Sequence, residues 1–423
     1  KLFITLLLIL SFYTYAQTKV SGIVVDDKNQ PVPYANIMFK GTNDGVVSNE
    51  DGRFYLESQI AHKVIVVSFS GFQTKEVTLP KLVNYDFKIN NAILCHENVL
   101  HHCKYLTNND IILMIEKLQK NNIEVVGVEL GSELSNRSYF TKGYTIDDYI
   151  VSAKICSEKI KDKYPNLKTA VVVAPLGKRK GHRHNVWNNK LSKLDFYDAI
   201  VIHSYAKVTK GEDRYGQMIS EQVEGENKTE AFEMYKKRAI NYLTTDYAKE
   251  AQKYVSVFNK PIWVTEWNLQ ISKTTGNTLL QSLFVAQYFL ELLSNPDLSA
   301  IELTTYHNLG GRDYSGSIFR NNKDEMEIQS TYYPMIMIGK IFENDIVRIE
   351  KEKKADSFAY KCYGKDAVEI LEFFVDWSEK QLLCTSYIDG KPRITIIYKS
   401  SNLFDCADKS GVLTLDTFEY CED

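Results

Sequence analysis

The chain reads as a multidomain protein: an N-terminal β-sandwich, a central α/β region forming part of a barrel, and a C-terminal β-sandwich. Three observations give this division. Residues 18–92 hold only short β-branched runs separated by Gly, Pro, Asn and Asp turns, the pattern of a small sandwich. From 108 to 345, apolar runs of strand length alternate with segments of helical periodicity, which implies parallel strands joined by crossover helices. From 346 to 423 strand patterns return with no helix between them. A length of 423 residues fits two to four domains.

The first region begins with Val20–Val25, turns at Asp26–Asn29 and resumes after Pro31 and Pro33 with Ala35–Phe39. Further strands follow at Arg53–Leu56, Val64–Phe69 and Thr74–Leu79. In the centre, Ile111, Ile112, Met114, Ile115 and Leu118 mark a helix over 109–120, and Val125–Leu130 the next strand. Helices over 147–163, 228–258, 278–294 and 332–342 are interleaved with strands over 167–173, 199–203, 262–265 and 300–306. The C-terminal strands are expected near 358–362, 367–374, 381–387, 393–398 and 411–415.

A net charge of -3 leaves no basic excess for phosphate binding, so nucleic acid is not expected as a partner. Lys1, the apolar run Leu2–Phe12, and Thr14-Tyr15-Ala16 before Gln17 form a secretory signal pattern over 1–16. That run is shorter than the roughly 20 residues of a membrane span. The expectation is an exported protein of the periplasm, cell surface or medium, with no membrane span. Seven Cys residues leave an odd count. At least one thiol is then free, with Cys156 on a helix as the candidate, and the four from Cys362 onward can pair in three ways. Cys95, His96, His101, His102 and Cys103 match no closed zinc pattern. Neither a metal nor a cofactor is expected.

Functional residues of a barrel lie at the carboxyl ends of its strands. Val125–Leu130 runs into Gly131-Ser132-Glu133, and Ile262–Thr265 into Glu266-Trp267-Asn268. Other strand ends carry His203 and Tyr205, and Tyr306, His307 and Asn308. A lone strand-end Glu is most often a solvated surface residue; two of them with His203-x-Tyr205 between weigh toward a site. Glu129 and Glu302 read as structural carboxylates, and Lys178–His184 as a solvated basic loop.

Two resemblances add to this reading. Val20-Ser21-Gly22, Pro33-Tyr34-Ala35-Asn36, the Asp51-Gly52 turn and Ser68-Phe69-Ser70-Gly71-Phe72 resemble the carboxypeptidase-regulatory-like domain. This transthyretin-like module fronts many exported Bacteroidetes proteins and implies no chemistry. Glu129-Leu130-Gly131-Ser132-Glu133, Asp198 to Tyr205, Val264-Thr265-Glu266-Trp267-Asn268 and Gln329-Ser330-Thr331-Tyr332-Tyr333 resemble, in order, segments of clan A glycoside hydrolases of the α-L-arabinofuranosidase and β-xylosidase branches. The resemblance implies a partial TIM barrel-like domain and a retaining hydrolase of polysaccharide or oligosaccharide linkages, with Glu133 as acid/base and Glu266 as nucleophile. His203 and Tyr205 would orient the nucleophile, Trp267 or Trp187 would stack a sugar face, and Ser132 and Tyr306 would contact substrate. Ser132 stands where the family has Asn.

The fourth-strand motif follows the first sandwich so closely that only units four to eight of the barrel are expected, five strands in an open sheet. A partner chain completing that edge is one expectation. A non-catalytic glycan-binding or scaffold protein derived from a truncated glycosidase is the alternative function.

Overall fold

The computed structural model describes residues 18–26, 30–58, 60, 62–69, 72, 74–78, 91–95, 109–209, 228–311, 316–322, 325–405 and 414–419. The leader pattern, the His96–Cys103 cluster, Cys406 and Cys421 lie outside them. The chain divides into two compact units: residues 1–85 with 321–326, and 86–320 with 327–423.

The first unit holds β1 (Thr18–Ile23), β2 (Asn36–Phe39), β3 (Gly45–Val47), β4 (Arg53–Ser58), β5 (Val64–Ser68) and β6 (Lys75–Thr78). β1 pairs with β4, and a second sheet runs β3-β2-β5-β6. Alternation along β2 buries Ile37 and Phe39 against Leu56 and Ile65, as a half-buried strand requires. The Asp51-Gly52 turn demands glycine: φ is +72° and a Cβ would lie 2.6 Å from the Val24 carbonyl oxygen.

In the second unit the described elements are β7 (Asn91–Cys95), α1 (Asn109–Lys120), β8 (Glu124–Leu130), α2 (Arg137–Phe140), α3 (Ile146–Lys163), β9 (Lys168–Val172), α4 (Arg183–Leu191) and β10 (Ala199–Ala206). Then come α5 (Lys228–Asn241), a π-helical turn, α6 (Tyr247–Phe258), β11 (Ile262–Leu269), α7 (Leu279–Ser294) and β12 (Ile301–Tyr306). The strands form one parallel sheet, β12-β11-β10-β9-β8-β7. It has six strands where five were expected. β7 is the addition: five residues, too short to show a period. Two more corrections are local. α4 is helical where a basic loop was expected, and β3 was not foreseen.

The sheet is strongly curled. β8 and β11 are separated by two strands, yet the Trp263 ring lies where a Cβ on Gly127 would be 2.1 Å from it. Trp263 is 1% exposed, and its indole donates to Glu302 Oε2 at 3.2 Å. Glu302 also pairs with Lys168, reaching from β12 to β9. The base of the half-barrel is thus filled by one large ring and tied by one ion pair.

Short strands β13 (Gly310–Gly311), β14 (Phe319–Asn322) and β15 (Glu325–Ile328) precede α8 (Tyr332–Gly339). The C-terminal strands β16 (Arg348–Lys354), β17 (Ser357–Tyr363), β18 (Glu369–Asp376), β19 (Gln381–Ile388), β20 (Lys391–Lys399) and β21 (Thr414–Glu419) form one antiparallel sheet in chain order. β16 was not foreseen. Helix α7 is apolar nearly all round because it is covered on both sides, by β11 and by β16, β18 and β19. Two of its buried polar side chains reach the C-terminal sheet: Glu291 accepts from Tyr360 Oη at 2.7 Å and Lys351 Nζ at 2.6 Å, and Gln287 from Trp377 Nε1 at 2.7 Å. Cys156, Cys362 and Cys384 are buried, and burial pushes Cys362 and Cys384 up to about 12.

Candidate active site

The carboxyl ends of β8, β10 and β11 converge. After β8 the chain turns through Gly131 (φ +107°) into Glu133, whose φ of +47° is rare for a residue with a side chain. Such conformations cost about 1–3 kcal/mol and gather at functional sites. The turn is closed by Asn136, whose N–H reaches the Glu133 carbonyl at 2.9 Å and whose Nδ2 donates to Glu133 Oε2 at 2.6 Å.

On the other side a bulge sets the geometry. Ile202 pairs with Val264, but His203 pairs with Glu266, so Thr265 is the extra residue in β11. Bulges re-aim side chains next to active sites. Here the bulge brings Glu266 opposite His203. By strand alternation the next pair, Ser204 and Trp267, turns to the helical side.

The side chains meet at His203. Its Nδ1 is 3.1 Å from Glu133 Oε1 and 3.5 Å from Glu266 Oε2, and its Nε2 is 3.8 Å from Glu129 Oε1. One oxygen of Glu133, one of Glu266 and a ring nitrogen of His203 all lie within 4.8 Å of one another. Tyr205 Oη donates to Glu266 Oε2 at 2.7 Å. Glu133 and Glu266 are reachable, with side chains 47% and 28% exposed, whereas Glu129 is 2% exposed.

The electrostatics follow. Burial alone would lower His203, but the surrounding carboxylates of Glu129, Glu133 and Glu266 outweigh it and push its pKa up to about 10. The imidazolium in turn holds Glu133 below the usual carboxylate range, against the opposing effect of burial. A general acid must hold its proton at the working pH. In the free site it is the imidazole that carries the proton. Burial, then the bond to Glu266, keeps Tyr205 protonated far above its ordinary range.

The other expected residues fall into three places. Ser132 is in the turn before Glu133 and nearly buried. Tyr306 ends β12, where its hydroxyl bonds the Gly316 carbonyl and accepts from Asn268 Nδ2 at 3.0 Å. Of the two tryptophans, Trp267 is corrected. Trp267 is fully buried and stacked on Tyr288 with ring centroids 3.7 Å apart, so it presents no face to a sugar. Trp187 is 6% exposed, stacked on Tyr149, and donates to the Val172 carbonyl at 3.1 Å. Sequence reasoning chose neither Asn136 nor His307, whose ring lies 5.9 Å from that of Tyr205. His307 was signalled by its strand end; Asn136 had no signal. Glu133, His203 and Glu266 are also the donors a cation would use, but a ligating imidazole must be unprotonated, and here its carboxylate partners favour the charged form.

Residues 20–100 match the family model described as the CarboxypepD_reg-like domain. The same part of the chain is 38% identical over 78 residues to the TonB-dependent receptor SusC of Bacteroides thetaiotaomicron. A second TonB-dependent receptor, from Formosa agariphila, is 35% identical over 80 residues. In each case the match covers 18% of this chain and 8% of the relative. Similar solved structures include the family 51 α-L-arabinofuranosidase AbfB of Bifidobacterium longum, 10% identical over 75% of this chain and 70% of that one, TM-score 0.47. The α-L-arabinofuranosidase of Thermotoga maritima is 13% identical over 75% and 69%, TM-score 0.47. The 4-O-α-L-rhamnosyl-β-D-glucuronidase of Fusarium oxysporum is 13% identical over 76% and 67%, TM-score 0.48.

Proposed function

We propose that the chain is a retaining glycoside hydrolase of oligosaccharides or polysaccharides, with Glu133 as acid/base and Glu266 as nucleophile. One observation carries this reading: two reachable carboxylates from distant strands present oxygens within 4.8 Å of each other. Retaining enzymes hold their carboxyl groups about 5–5.5 Å apart, whereas inverting enzymes leave room for a water between. Glu266, oriented by the Tyr205 hydroxyl, attacks the anomeric carbon as the leaving oxygen departs. Glu133 delivers the proton to that oxygen and then takes one from water, releasing the sugar from Glu266. Because His203 keeps Glu133 ionised in the free site, the acid form of Glu133 gains population as pH falls.

Export to the envelope or beyond is part of the same proposal, supported by the Lys1–Gln17 pattern and by the similarity of the N-terminal region to TonB-dependent receptors. Among the described residues no helix is long and apolar enough to cross a membrane. A second reading, a non-catalytic glycan-binding or scaffold protein, is favoured by one feature: the lowered pKa of Glu133, which suits charge-assisted hydrogen bonding to hydroxyls as well as catalysis. A panel of aryl arabinofuranosides and xylosides separates the two. Turnover abolished by both Glu133→Ala and Glu266→Ala is the expected result; turnover that survives both removes these two carboxylates as the catalytic pair, and no turnover by the unmutated chain favours the binding reading.

A further inference from the structure

The loop from Val173 to His182 leaves β9 at the same sheet end as the turn carrying Glu133 leaves β8, because the two strands are adjacent and parallel. It carries Lys178, Arg179 and Lys180, all exposed, and leads into Arg183 at the start of α4. Among the described residues none of these four cations is paired with a carboxylate. Beside the loop lies a cavity of about 310 Å³, walled by Leu134, Phe140, Tyr144, Val186 and Trp187, with Arg183 and His184 at its side. That volume is at the lower end of ligand pockets, ~300–1,000 Å³.

The cavity is tied to the catalytic turn. Arg183 donates to the carbonyl of Ser135, two residues beyond Glu133, and its guanidinium stands 5.5 Å from the Phe140 ring centroid. No acidic residue lines the cavity. The nearest carboxylates in sequence are engaged: Glu133 with His203 and Asn136, Asp147 with Lys190, and Asp148 in the N-terminal cap of α3. His184 is held below its ordinary pKa by burial and by the charges of Arg183 and His182, which fits a positive local field.

We infer that this cavity and its basic loop are a subsite for a uronic acid residue on the leaving-group side of the cleaved bond. The inference rests on the hydrolase reading above and adds its substrate class. A neutral sugar would use the aromatic and aliphatic walls but leave the cations idle. A uronate fills both, its ring on Phe140 and Tyr144 and its planar carboxylate on the Arg183 fork. The proton from Glu133 goes to the oxygen that this residue carries away, and for that reason the subsite adjoins the turn holding Glu133.

The test uses the full chain carrying Glu266→Ala, which leaves polymers uncut, and titrates it with polygalacturonate, neutral arabinan and dextran sulfate. Saturable binding of polygalacturonate, tighter than of arabinan, is expected, weakened about tenfold or more by K178Q/R179Q/K180Q and by Arg183→Lys. The loop substitutions are on exposed side chains and leave the core untouched. Equal binding of arabinan, or polygalacturonate binding unchanged in the variants, overturns the subsite. Equal or tighter binding of dextran sulfate with the same dependence also overturns it, by showing a general polyanion patch. Uronate binding without aryl glycoside turnover by the unmutated chain keeps the subsite and removes the hydrolase reading; turnover without uronate preference does the reverse.

Discussion

A single imidazole stands among three carboxylates, with Glu129 behind it and Glu133 and Glu266 in front. Glu129 is buried, so its charge is felt through a weakly screening medium and favours the protonated ring. That ring then lowers Glu133, and the sign of the resulting pH dependence is fixed. The acid form of Glu133 is lost as pH rises through a value below the ordinary 4.5, so kcat/KM on an aryl glycoside with a poor leaving group falls toward neutral pH. His203→Asn removes both the bond and the charge. Its descending limb moves to higher pH, even if its maximum is lower; a limb that stays in place contradicts the assigned coupling. The identities of these side chains were legible because each sits at a strand end in a recognisable order. Their partnership was not. It depends on Thr265 being the bulged residue, and a bulge leaves no periodic trace in a strand of eight residues.

At the scale of elements, the same alternation that exposes Glu266 buries Trp267 between the sheet and α7. Trp267→Ala therefore empties a packed site against Tyr288 and Phe289 and is expected to cost about 3–5 kcal/mol, read as a lowered denaturant midpoint. A loss under 1 kcal/mol would mean the ring is not packed as described. Helix α7 carries the second elemental prediction. Glu291→Ala leaves the Tyr360 hydroxyl and the Lys351 ammonium without their carboxylate, a loss of about 1–3 kcal/mol, chiefly for the buried hydroxyl deprived of its acceptor. Glu291→Gln keeps an acceptor for Tyr360 and is expected to cost less; equal costs for the two would contradict the hydrogen-bond role. Strands and helices of ordinary length were readable from periodicity, including the unbroken helical stretch 228–258, in which α5, the π turn and α6 run on. β7 and α4 were not, the first for brevity, the second because Lys178–His184 reads as a charged loop and its helical part begins only at Arg183.

At the scale of the molecule, the described sheet is an open half-barrel of six strands, and its base is filled from within by Trp263 over Gly127. A site built from β8, β10 and β11 needs only that half, since all the site side chains discussed come from strands or strand ends within it. The sequence order of the motifs made the barrel legible, but not how an incomplete barrel closes its own floor: Trp263 and the Lys168–Glu302 pair are long-range partners that no local pattern announces. The central claim, that Glu266 attacks the sugar while Glu133 faces it, is tested most directly by trapping the glycosyl-enzyme. The unmutated chain is incubated with 2-deoxy-2-fluoro glycosides of arabinofuranose and xylose bearing dinitrophenolate leaving groups, digested, and the labelled peptide is sequenced by mass spectrometry. The account predicts one sugar on the peptide containing Glu266 and none after Glu266→Ala; a label on a different residue, or turnover with inverted product and no adduct, would contradict it.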